Sequence, residues 1–330
     1  MNSFKTNHTT PVLPAIARGI EILNNGGIIA IPTETVYGLA ANAFSIKAVA
    51  EIFRLKQRPA INPLIVHIAS LSELATVAVE VPPLAMKLAE AFWPGPLTLV
   101  LKKTPLIPDI VTAGKPTVAV RVPGHRLALE LLNRLDYPLA APSANTSGSI
   151  SPTNPSHVTG SFGAKAPYIL DGGNCERGVE STIIGFTGDE PVVYRYGAIP
   201  IEAIEKICGK IKTHTSDDVS PAAPGMLSKH YAPKTRTLLT ADPAALVSSL
   251  NSSRTGLLLF DRPLGGVSAG PVEILSPTGD LAEAARNLYP ALHRLDAMKL
   301  DVIIAERVPS VGIGMAINDR LKRASTDESV

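Results

Sequence analysis

The sequence predicts an α/β protein whose first part forms one sheet and whose last part forms a smaller α/β unit. Short apolar runs such as IIAIP (28–32) and TVAVRVP (117–123) have the length and composition of buried strands. Segments with apolar residues at helical spacing lie between such runs. Strands interspersed with helices favour a sheet covered by helices over a bundle or a sandwich. A length of 330 residues leaves room for two domains.

The first elements are predicted in the order helix, strand, helix. IARGIEILNNGG (16–27) is a helix with a glycine stop, IIAIP is a strand, and SIKAVAEIFRLK (45–56) is a second helix. Because Pro59 and Pro63 push the residues before them out of the α region, this helix should end near Lys56. Further strands are predicted within 63–69, 96–101, 117–123, 137–143, 181–186 and 192–197, and further helices over 83–92 and 125–135.

A polar stretch punctuated by proline and glycine, residues 210–235, is typical of a linker. Beyond it, TGLLLF and LDVIIAE have the composition of buried strands, and residues 280–298 form an amphipathic helix that Pro290 should kink or interrupt. The predicted organisation is a first domain over 1–209, a linker over 210–235 and a C-terminal α/β domain over 236–330.

The composition excludes some classes of protein. With 45% hydrophobic and 18% charged residues, the chain has the balance of a globular protein with a sizeable core. A formal net charge of +2 is too small to indicate nucleic-acid binding from bulk charge, so an anion site would have to be local. No aliphatic run approaches the ~20 residues of a membrane span, and the N-terminus has no apolar signal core. We therefore expect a cytoplasmic protein in which Cys175 and Cys208 are unpaired thiols.

Common catalytic and phosphate-binding motifs are missing from the sequence. It contains no GxxxxGK[ST] loop, no GxGxxG after a strand, and no HExxH, GxSxG or CxxC pair. A nucleotide, if bound, would need a different scaffold.

The stretch KQRPAINPLIVHIA (56–69) combines two cations with a rigid turn. Lys56 and Arg58 are two residues apart, and they indicate either an anion site or a pair of solvated surface charges. His67 lies in the following strand, in opposite phase to Leu64, Val66 and Ile68, where it could be a ligand-binding or a structural residue.

Arg121 interrupts an apolar strand. In VAVRVP the valines share one face, so Ala119 and Arg121 share the other. Burying a charge alone is expensive, so Arg121 needs a partner. A bound carboxylate or phosphate would serve, and so would a protein carboxylate.

Loops rich in hydroxyl groups follow several predicted strands. PTETVYG (32–38) offers Thr33 and Thr35, although it could also be a turn that caps a helix. APSANTSGSISPT (141–153) has the composition of a ligand-binding loop at a strand end, and also that of an ordinary loop. RGVEST and YRYG add an arginine beside a strand in each case. Together with Lys56, Arg58 and Arg121, these loops predict a pocket for a polyanionic small molecule.

A family resemblance rests on these stretches and their order. PTETVYGLAANA, KQRPAINPLIVHI, WPGPLTLVL, VAVRVPGH, APSANTSGSISPT, GVESTII and RYGAI resemble the threonylcarbamoyl-AMP synthases, the YrdC-like family. PGMLSKHYAPKT and the region from ARNLYPALHRLDAM to INDRLKRA resemble the linker and extra C-terminal domain of the long form. The resemblance implies a twisted, open, mixed sheet with a concave basic cavity, and a small Rossmann-like C-terminal domain.

The resemblance also implies an activity and its partners. Such an enzyme makes threonylcarbamoyl-AMP and pyrophosphate from L-threonine, bicarbonate and ATP, with Mg²⁺ carried on the phosphates. A downstream complex transfers the threonylcarbamoyl group to tRNA beside the anticodon. The linker would close over the nucleotide as a lid. In physical terms, cations are needed to gather several anionic substrates into one pocket.

Site residues follow from the resemblance position by position. Lys56 and Arg58 match the catalytic KxR, facing the phosphates and the carbamate. Positions expected to hold the nucleotide are Arg58, Asn62, Thr117, Ser143, Asn145, Ser151, Arg195 and Tyr231. Positions expected to hold L-threonine are Thr35, His67, Arg121, Ala141 through its backbone, and Ser181. No metal ligand is expected from the protein.

Two other functions compete with this reading. A positively charged concave sheet could hold double-stranded RNA, although the net charge and the 5% aromatic content argue against it. A related carbamoyl-transferring domain, as in hydrogenase maturation proteins, would bring acylphosphatase and zinc-finger-like segments, which are not visible here. Two features depart from the family pattern, namely Pro290 and the first dozen residues, which we expect to be disordered.

Overall fold

The computed structural model describes residues 12–213, 230–250, 254–264 and 270–328. The helices in these ranges are α1 Val12–Asn24, α2 Ile46–Lys56, α3 Leu74–Val77, α4 Pro83–Phe92, α5 Asp109–Thr112, α6 Arg126–Leu132, α7 Pro155–Phe162, α8 Ile201–Cys208, α9 Pro243–Ser249, α10 Leu281–Ala297 and α11 Gly314–Ala324. Short 3₁₀ helices cover Leu71–Glu73 and Gly163–Lys165.

The strands in the same ranges are β1 Ile29–Ile31, β2 Gly38–Asn42, β3 Ile65–His67, β4 Ala78–Val79, β5 Leu97–Lys103, β6 Thr117–Arg121, β7 Leu139–Ala140, β8 Tyr168–Ile169, β9 Thr182–Thr187, β10 Glu190–Arg195, β11 Lys212–Thr213, β12 Arg236–Thr240, β13 Thr255–Leu259, β14 Val272–Ile274, β15 Val302–Glu306 and β16 Asp327–Glu328. Each strand predicted from the sequence overlaps one of these.

The predicted end of the second helix is confirmed. Ser45 caps α2 by accepting a hydrogen bond from the N–H of Ala48. The helix stops at Lys56 because Gln57 takes the left-handed conformation, with φ 52°. The side chain of Lys56 therefore extends from the last turn of the helix, and Arg58 lies in the loop that follows.

The first sheet is mixed and open. Its order is β11-β10-β9-β5-β6-β3-β7-β2-β1-β8, with β4 added beside β5. The central pairs β3/β6 and β5/β9 are parallel, whereas β5/β6 and β3/β7 are antiparallel. The prediction of an α/β fold with a mixed sheet is confirmed.

The two faces of this sheet are covered differently. One face packs along most of its width against helices, including α2, α4 and α8, around the main core. On the other face, α1 and α6 cover the end formed by β1, β2 and β7. The rest of that face, over β3, β6, β5 and β9, carries a smaller apolar cluster of Ile65, Val100, Ala119 and Ile183. This part is where a ligand could lie against the sheet.

The second sheet is parallel, with the order β14-β13-β15-β12-β16. Helices α10 and α11 contribute Leu288, Leu292, Ile317 and Leu321 to a core that also includes Val36, Val179 and Tyr231 from outside this sheet. The two sheets are thus joined through a shared apolar core. Of the predicted linker, residues 214–229 lie outside the described ranges, and so do residues 1–11 of the first dozen.

The expectation that Pro290 interrupts its helix is wrong. Helix α10 runs unbroken from Leu281 to Ala297 with Pro290 inside it. A proline inside a helix lacks the N–H that would bond the carbonyl four residues earlier, here that of Arg286. At this place the helix meets Gly178, which has φ +73° and approaches so closely that a Cβ on it would lie 2.3 Å from Arg286 Cα. Burial of Leu288, Ala291 and Leu292 against the shared core stabilises the helix across the missing hydrogen bond.

Two further expectations concern the cysteines and membrane-spanning segments. Cys175 and Cys208 are free thiols, as predicted. In the parts of the chain that the structure describes, no helix has the length and apolarity to cross a bilayer.

Candidate active site

A pocket lies on the open face of the first sheet, and His230 and Tyr231 form part of its wall. The other lining residues are Thr33, Thr35, Val36, Gly38, Arg58, Ile65, His67, Arg121, Ala141, Pro142, Ser143, Glu180, Ser181 and Arg195. Thus the structure brings together these residues predicted from the sequence: Thr35, Arg58, His67, Arg121, Ala141, Ser143, Ser181, Arg195 and Tyr231.

Strand phase explains how the side chains reach the pocket. β3 and β6 pair in parallel, with His67 opposite Arg121 and Ile65 opposite Ala119. Because successive side chains in a strand point to opposite faces, all four lie on the open face. Val66 and its neighbours in phase point into the main core instead. The phase predicted for His67 and Arg121 is confirmed.

Arg121 has protein partners. Its Nη2 lies 2.8 Å from Oε1 of Glu34, Nη1 donates to Thr35 Oγ1 at 3.0 Å, and Nε donates to the carbonyl of Gly95 at 3.2 Å. The Glu34 contact is a close ion pair without hydrogen-bond alignment, and neither carboxylate oxygen has a hydrogen-bond partner among the described residues. The sequence left open whether a ligand or the protein balances Arg121. The structure supplies Glu34, while Arg121 still borders the pocket.

Thr33 and Thr35 form a turn that leads into β2. Thr33 Oγ1 donates to the carbonyl of Val36 at 2.6 Å and accepts from the N–H groups of Thr35 and Val36. The alternative of a turn is therefore right for Thr33, although a strand follows and not a helix. The two hydroxyls lie 2.8 Å apart, which places Thr35 Oγ1 between Thr33 and Arg121 at the pocket wall.

Lys56 and Arg58 are buried, with 1% and 8% exposure, so they are not solvated surface charges. Lys56 Nζ donates to the carbonyls of Ser143 and Asn145, at 2.6 and 2.5 Å, from a position behind the pocket wall. Arg58 Nε and Nη2 donate to the carbonyls of Asn62 and Pro63. Among the described residues both cations have carbonyl partners and no carboxylate.

The buried basic side chains of this region are close to one another. Burial lowers the pKa of Lys56 well below its usual range, and the charge of Arg58 lowers it further. Burial also lowers the pKa of Arg58, to about 9, and that of Arg195. A charged form that is disfavoured in the ligand-free protein is stabilised when an anion arrives. The arrangement therefore suits a polyanion.

His67 is buried, and its Nδ1 has no hydrogen-bond partner among the described residues. Burial, followed by the charge of Arg121, lowers its pKa to about 3. The imidazole is therefore neutral at physiological pH and can offer one hydrogen bond to a ligand.

A consequence for pH dependence follows from the pKa of His67. Because it lies below the ordinary 6.5, the imidazole does not titrate between about pH 5 and pH 8. The family resemblance implies that His67 holds L-threonine, and on that assignment we expect the threonine KM to show no inflection from His67 in that range and His67→Gln to raise it about 10-fold through a lost hydrogen bond. Steady-state kinetics at several pH values measures both. An unaltered KM in His67→Gln, or an inflection near pH 6.5 that the variant removes, would contradict this role.

The remaining predicted nucleotide residues do not line the pocket. Asn62 and Asn145 are buried, each with an Oδ1 that has no partner among the described residues. Asn145 Nδ2 donates to the carbonyls of Thr146 and Ser149 and so shapes the loop. Ser151 Oγ donates to Glu180 at 2.6 Å. Thr117 begins β6, on the same face as Arg121 but at the other end of the strand.

Tyr231 is held in an unusual conformation above the pocket. Its φ of 65° is left-handed, which a non-glycine residue rarely adopts without support. His230 N–H donates to the carbonyl of Arg323 in α11, and Ala232 N–H donates to the carbonyl of Gly148. Tyr231 OH is buried and has no partner among the described residues. The backbone is thus fixed on both sides while the hydroxyl remains available.

Sequence reasoning missed several residues of this region. They are His230 and Glu180 in the pocket lining, Glu34 beside Arg121, and Tyr289 and Arg320 from the C-terminal domain. One signal was present. Arg320 lies at helical spacing among Ala316, Ile317 and Ala324, so a charge occupies the apolar face of its helix.

The donor set near the pocket bears on magnesium. Among the described residues, no group of three or more His, Cys, Asp or Glu could hold a metal ion. Glu34 and Glu180 each lie beside an arginine, Arg121 and Arg320 respectively. These residues fit a magnesium ion that arrives on a nucleotide better than one that the protein holds itself.

Fold and site together define an α/β protein with a buried cationic pocket for small anions. The Sua5/YciO/YrdC family model, described as telomere recombination, matches residues 21–197. The model described as threonylcarbamoyl-AMP synthase, C-terminal domain, matches residues 199–326. The chain is 43% identical to the threonylcarbamoyl-AMP synthase of Pyrococcus abyssi over 92% of both chains. It is 41% identical to that of Bacillus subtilis, over 94% of this chain and 93% of the relative.

A solved structure agrees with these matches. The structure of P. abyssi Sua5 complexed with L-threonine superposes with a TM-score of 0.89 at 41% identity and covers 96% of both chains. The chain therefore belongs to the threonylcarbamoyl-AMP synthase family of nucleotidyltransferases, in its two-domain form.

Proposed function

We propose that this protein condenses L-threonine, bicarbonate or CO₂, and ATP into threonylcarbamoyl-AMP and pyrophosphate. The observation that carries the proposal is the buried pair Lys56 and Arg58, cations without a carboxylate partner among the described residues, behind and beside a pocket that also contains Arg121 and Arg195. Membership of the family and the threonine-bound relative support the choice of substrates.

The proposed reaction has two steps. The threonine amine adds to CO₂, or to bicarbonate with loss of water, to give a carbamate. A carbamate oxygen then attacks the α-phosphorus of ATP, the bond to the β-phosphate oxygen breaks, and pyrophosphate leaves. Such phosphoryl chemistry needs positioning and charge stabilisation more than a protein nucleophile. The absence of a nucleophile–base motif in the sequence fits this chemistry.

Roles for the site residues divide between two regions of the pocket. Thr35, His67 and Arg121, with Ser181 and the Ala141 backbone, would hold L-threonine. Arg58, Ser143, Arg195 and Tyr231 would hold the nucleotide, with Asn62, Thr117, Asn145 and Ser151 shaping or extending that part. Magnesium arriving with ATP would neutralise part of the phosphate charge, with no ligand needed from the protein. The product would pass to a transferase complex that modifies tRNA, in the cytoplasm.

Double-stranded RNA is a poorer fit to the same pocket. Lys56, Arg58, Arg121 and Arg195 are all at most 8% exposed, so a duplex could not reach them. An RNA-binding surface needs its cations accessible to phosphates along a backbone.

The proposal is tested by product analysis. Purified protein is incubated with L-threonine, ATP, magnesium chloride and ¹³C-bicarbonate, and the products are analysed by mass spectrometry. We expect a labelled threonylcarbamoyl-AMP whose formation stops when any one substrate is omitted. Salt-sensitive RNA binding without this product would favour the RNA alternative. Release of pyrophosphate that does not depend on threonine would overturn the substrate assignment.

Lys56 gives a further prediction. Since its pKa is lowered in the ligand-free protein, bringing the ATP charges close should raise it, and the complex should take up a proton. We expect net proton uptake when ATP binds, and we expect it to change with pH. Calorimetric titration in two buffers with different ionisation enthalpies measures it, and Lys56→Met should reduce it. Proton release, or the same uptake in Lys56→Met, would contradict the assignment.

A further inference from the structure

Glu180 joins the pocket to the C-terminal domain. It lines the pocket, is 5% exposed, and lies two residues before β9 of the first sheet. Its Oε2 accepts a hydrogen bond from Arg320 Nε at 2.7 Å, and its Oε1 accepts one from Ser151 Oγ at 2.6 Å. Tyr289 OH, from α10, lies 2.9 Å from both oxygens and donates to the carboxylate. We call Glu180, Tyr289 and Arg320 the interdomain clamp.

Arg320 has contacts in several directions, although it is only 1% exposed. Besides Glu180, it donates from Nη2 to the carbonyl of Tyr196 at 2.9 Å and from Nη1 to Asp319 at 2.5 Å. The Cζ atom of its guanidinium lies over the Tyr231 ring, 4.9 Å from the ring centre. A planar fork that bonds at its edges and stacks on its face is a role that lysine cannot fill.

The contacts of the clamp reach two residues predicted to hold the nucleotide. Ser151 gives its hydroxyl hydrogen to Glu180, so only its lone pairs remain for a ligand. Tyr231 has its ring stacked on Arg320, and its hydroxyl is buried without a partner among the described residues. The clamp therefore leaves the Ser151 hydroxyl only as a hydrogen-bond acceptor for a ligand, and it fixes the position of the Tyr231 ring.

We propose that Arg320, from the C-terminal domain, is a positioning residue for the nucleotide half of the pocket, because it fixes Glu180 on one side and the Tyr231 ring on the other. The proposal rests on the proposed function, since it assumes that ATP binds there. It makes the C-terminal domain part of the nucleotide site. In the threonine half, Arg121 and His67 have no contact with the clamp among those described, and only Ser181, which follows Glu180 in the chain, adjoins it.

The test compares ATP binding, threonine binding and stability in matched variants. They are Arg320→Met, Arg320→Lys, the double variant Arg320→Met with Glu180→Gln, and the control Arg294→Met. Arg294 also lies in the C-terminal domain, where it pairs with Glu273 at the surface. Each protein is titrated calorimetrically with ATP and magnesium chloride and, separately, with L-threonine. Its thermal midpoint is measured without ligand.

We expect Arg320→Met to weaken ATP binding about 30- to 100-fold, while threonine binding changes less than about threefold. Arg320→Lys should lie between Arg320→Met and the wild type, and Arg294→Met should match the wild type. The double variant removes both charges of the buried Glu180–Arg320 pair, so much of the lost thermal midpoint should recover. Its ATP affinity should stay low, even though the Glu180 charge that repels ATP is gone.

Three results would overturn the proposal. ATP affinity that recovers together with stability in the double variant would make Arg320 merely structural, and so would equal losses of ATP and threonine binding. Unchanged ATP affinity in Arg320→Met would remove its role altogether. If Arg320→Met does not fold, the double variant and Arg320→Lys decide by the same criteria. Failure of the wild-type protein to bind ATP would instead overturn the proposed function.

Discussion

Replacing Arg58 by methionine is expected to lower the rate of threonylcarbamoyl-AMP formation by about 10³-fold or more, while the protein remains folded. A cation that stabilises charge on a transferring phosphoryl group contributes on the order of 10³–10⁵ in rate where it has been removed elsewhere. Two of the N–H groups of Arg58 hold the carbonyls of Asn62 and Pro63, which aims the rest of the guanidinium at the pocket.

Stability should not follow the loss of activity. Burial lowers the pKa of Arg58 to about 9 from 12.5, so the guanidinium stays charged at neutral pH but its charge destabilises the fold relative to the unfolded chain. Removing the charge offsets the lost carbonyl hydrogen bonds, and we expect the thermal midpoint to move by less than about 5 °C. Pyrophosphate release and thermal unfolding measure the two effects.

The matched control for Arg58 is Arg54→Met. Arg54 is in α2, only four residues earlier, and its exposed side chain pairs with Glu51. The Arg54→Met variant should form threonylcarbamoyl-AMP at the wild-type rate. A rate in Arg58→Met within about tenfold of the wild type would show that Arg58 does not meet the developing charge.

Arg121→Ala is expected to lose both threonine affinity and stability. Removing Arg121 leaves Glu34 as a buried carboxylate without its partner, and breaking such a pair costs about 3–5 kcal/mol. Threonine affinity should fall about 10- to 100-fold, because one charge-assisted contact to the substrate carboxylate is lost. Denaturant unfolding and calorimetric titration measure the two losses.

The double variant Arg121→Met with Glu34→Gln separates the effects. It removes both charges, so much of the stability should return while threonine affinity stays low. Threonine binding that returned with stability, or that was unchanged in Arg121→Ala, would show that Arg121 is a structural residue.

Much of the fold and pocket could be predicted from the sequence, because the signals were local. The alternation in PLIVHIA and VAVRVP placed His67 and Arg121 on one face, and Pro59 and Pro63 set the end of α2. The family resemblance then grouped residues from separate loops.

The partners of the site residues could not be predicted in this way. That Glu34 balances Arg121, or that Arg320 reaches Glu180, depends on how distant segments pack, and no local periodicity reports it. That the ammonium of Lys56, which is predicted to face the phosphates, binds the carbonyls of Ser143 and Asn145 is likewise not visible in the sequence. Pro290 was overestimated as a helix breaker, because propensity ignores the burial that keeps α10 intact.

The close approach of Gly178 to α10 limits how this protein could be recombined with its relatives. Gly178 lacks a side chain where the helix backbone passes, and Pro290 lacks the N–H that would bond Arg286 at the same place. A chimera that joined this C-terminal half to the catalytic half of another protein would need glycine at the position of Gly178, whatever its active-site residues were. The two halves are therefore expected to be exchangeable only with their contact surfaces matched.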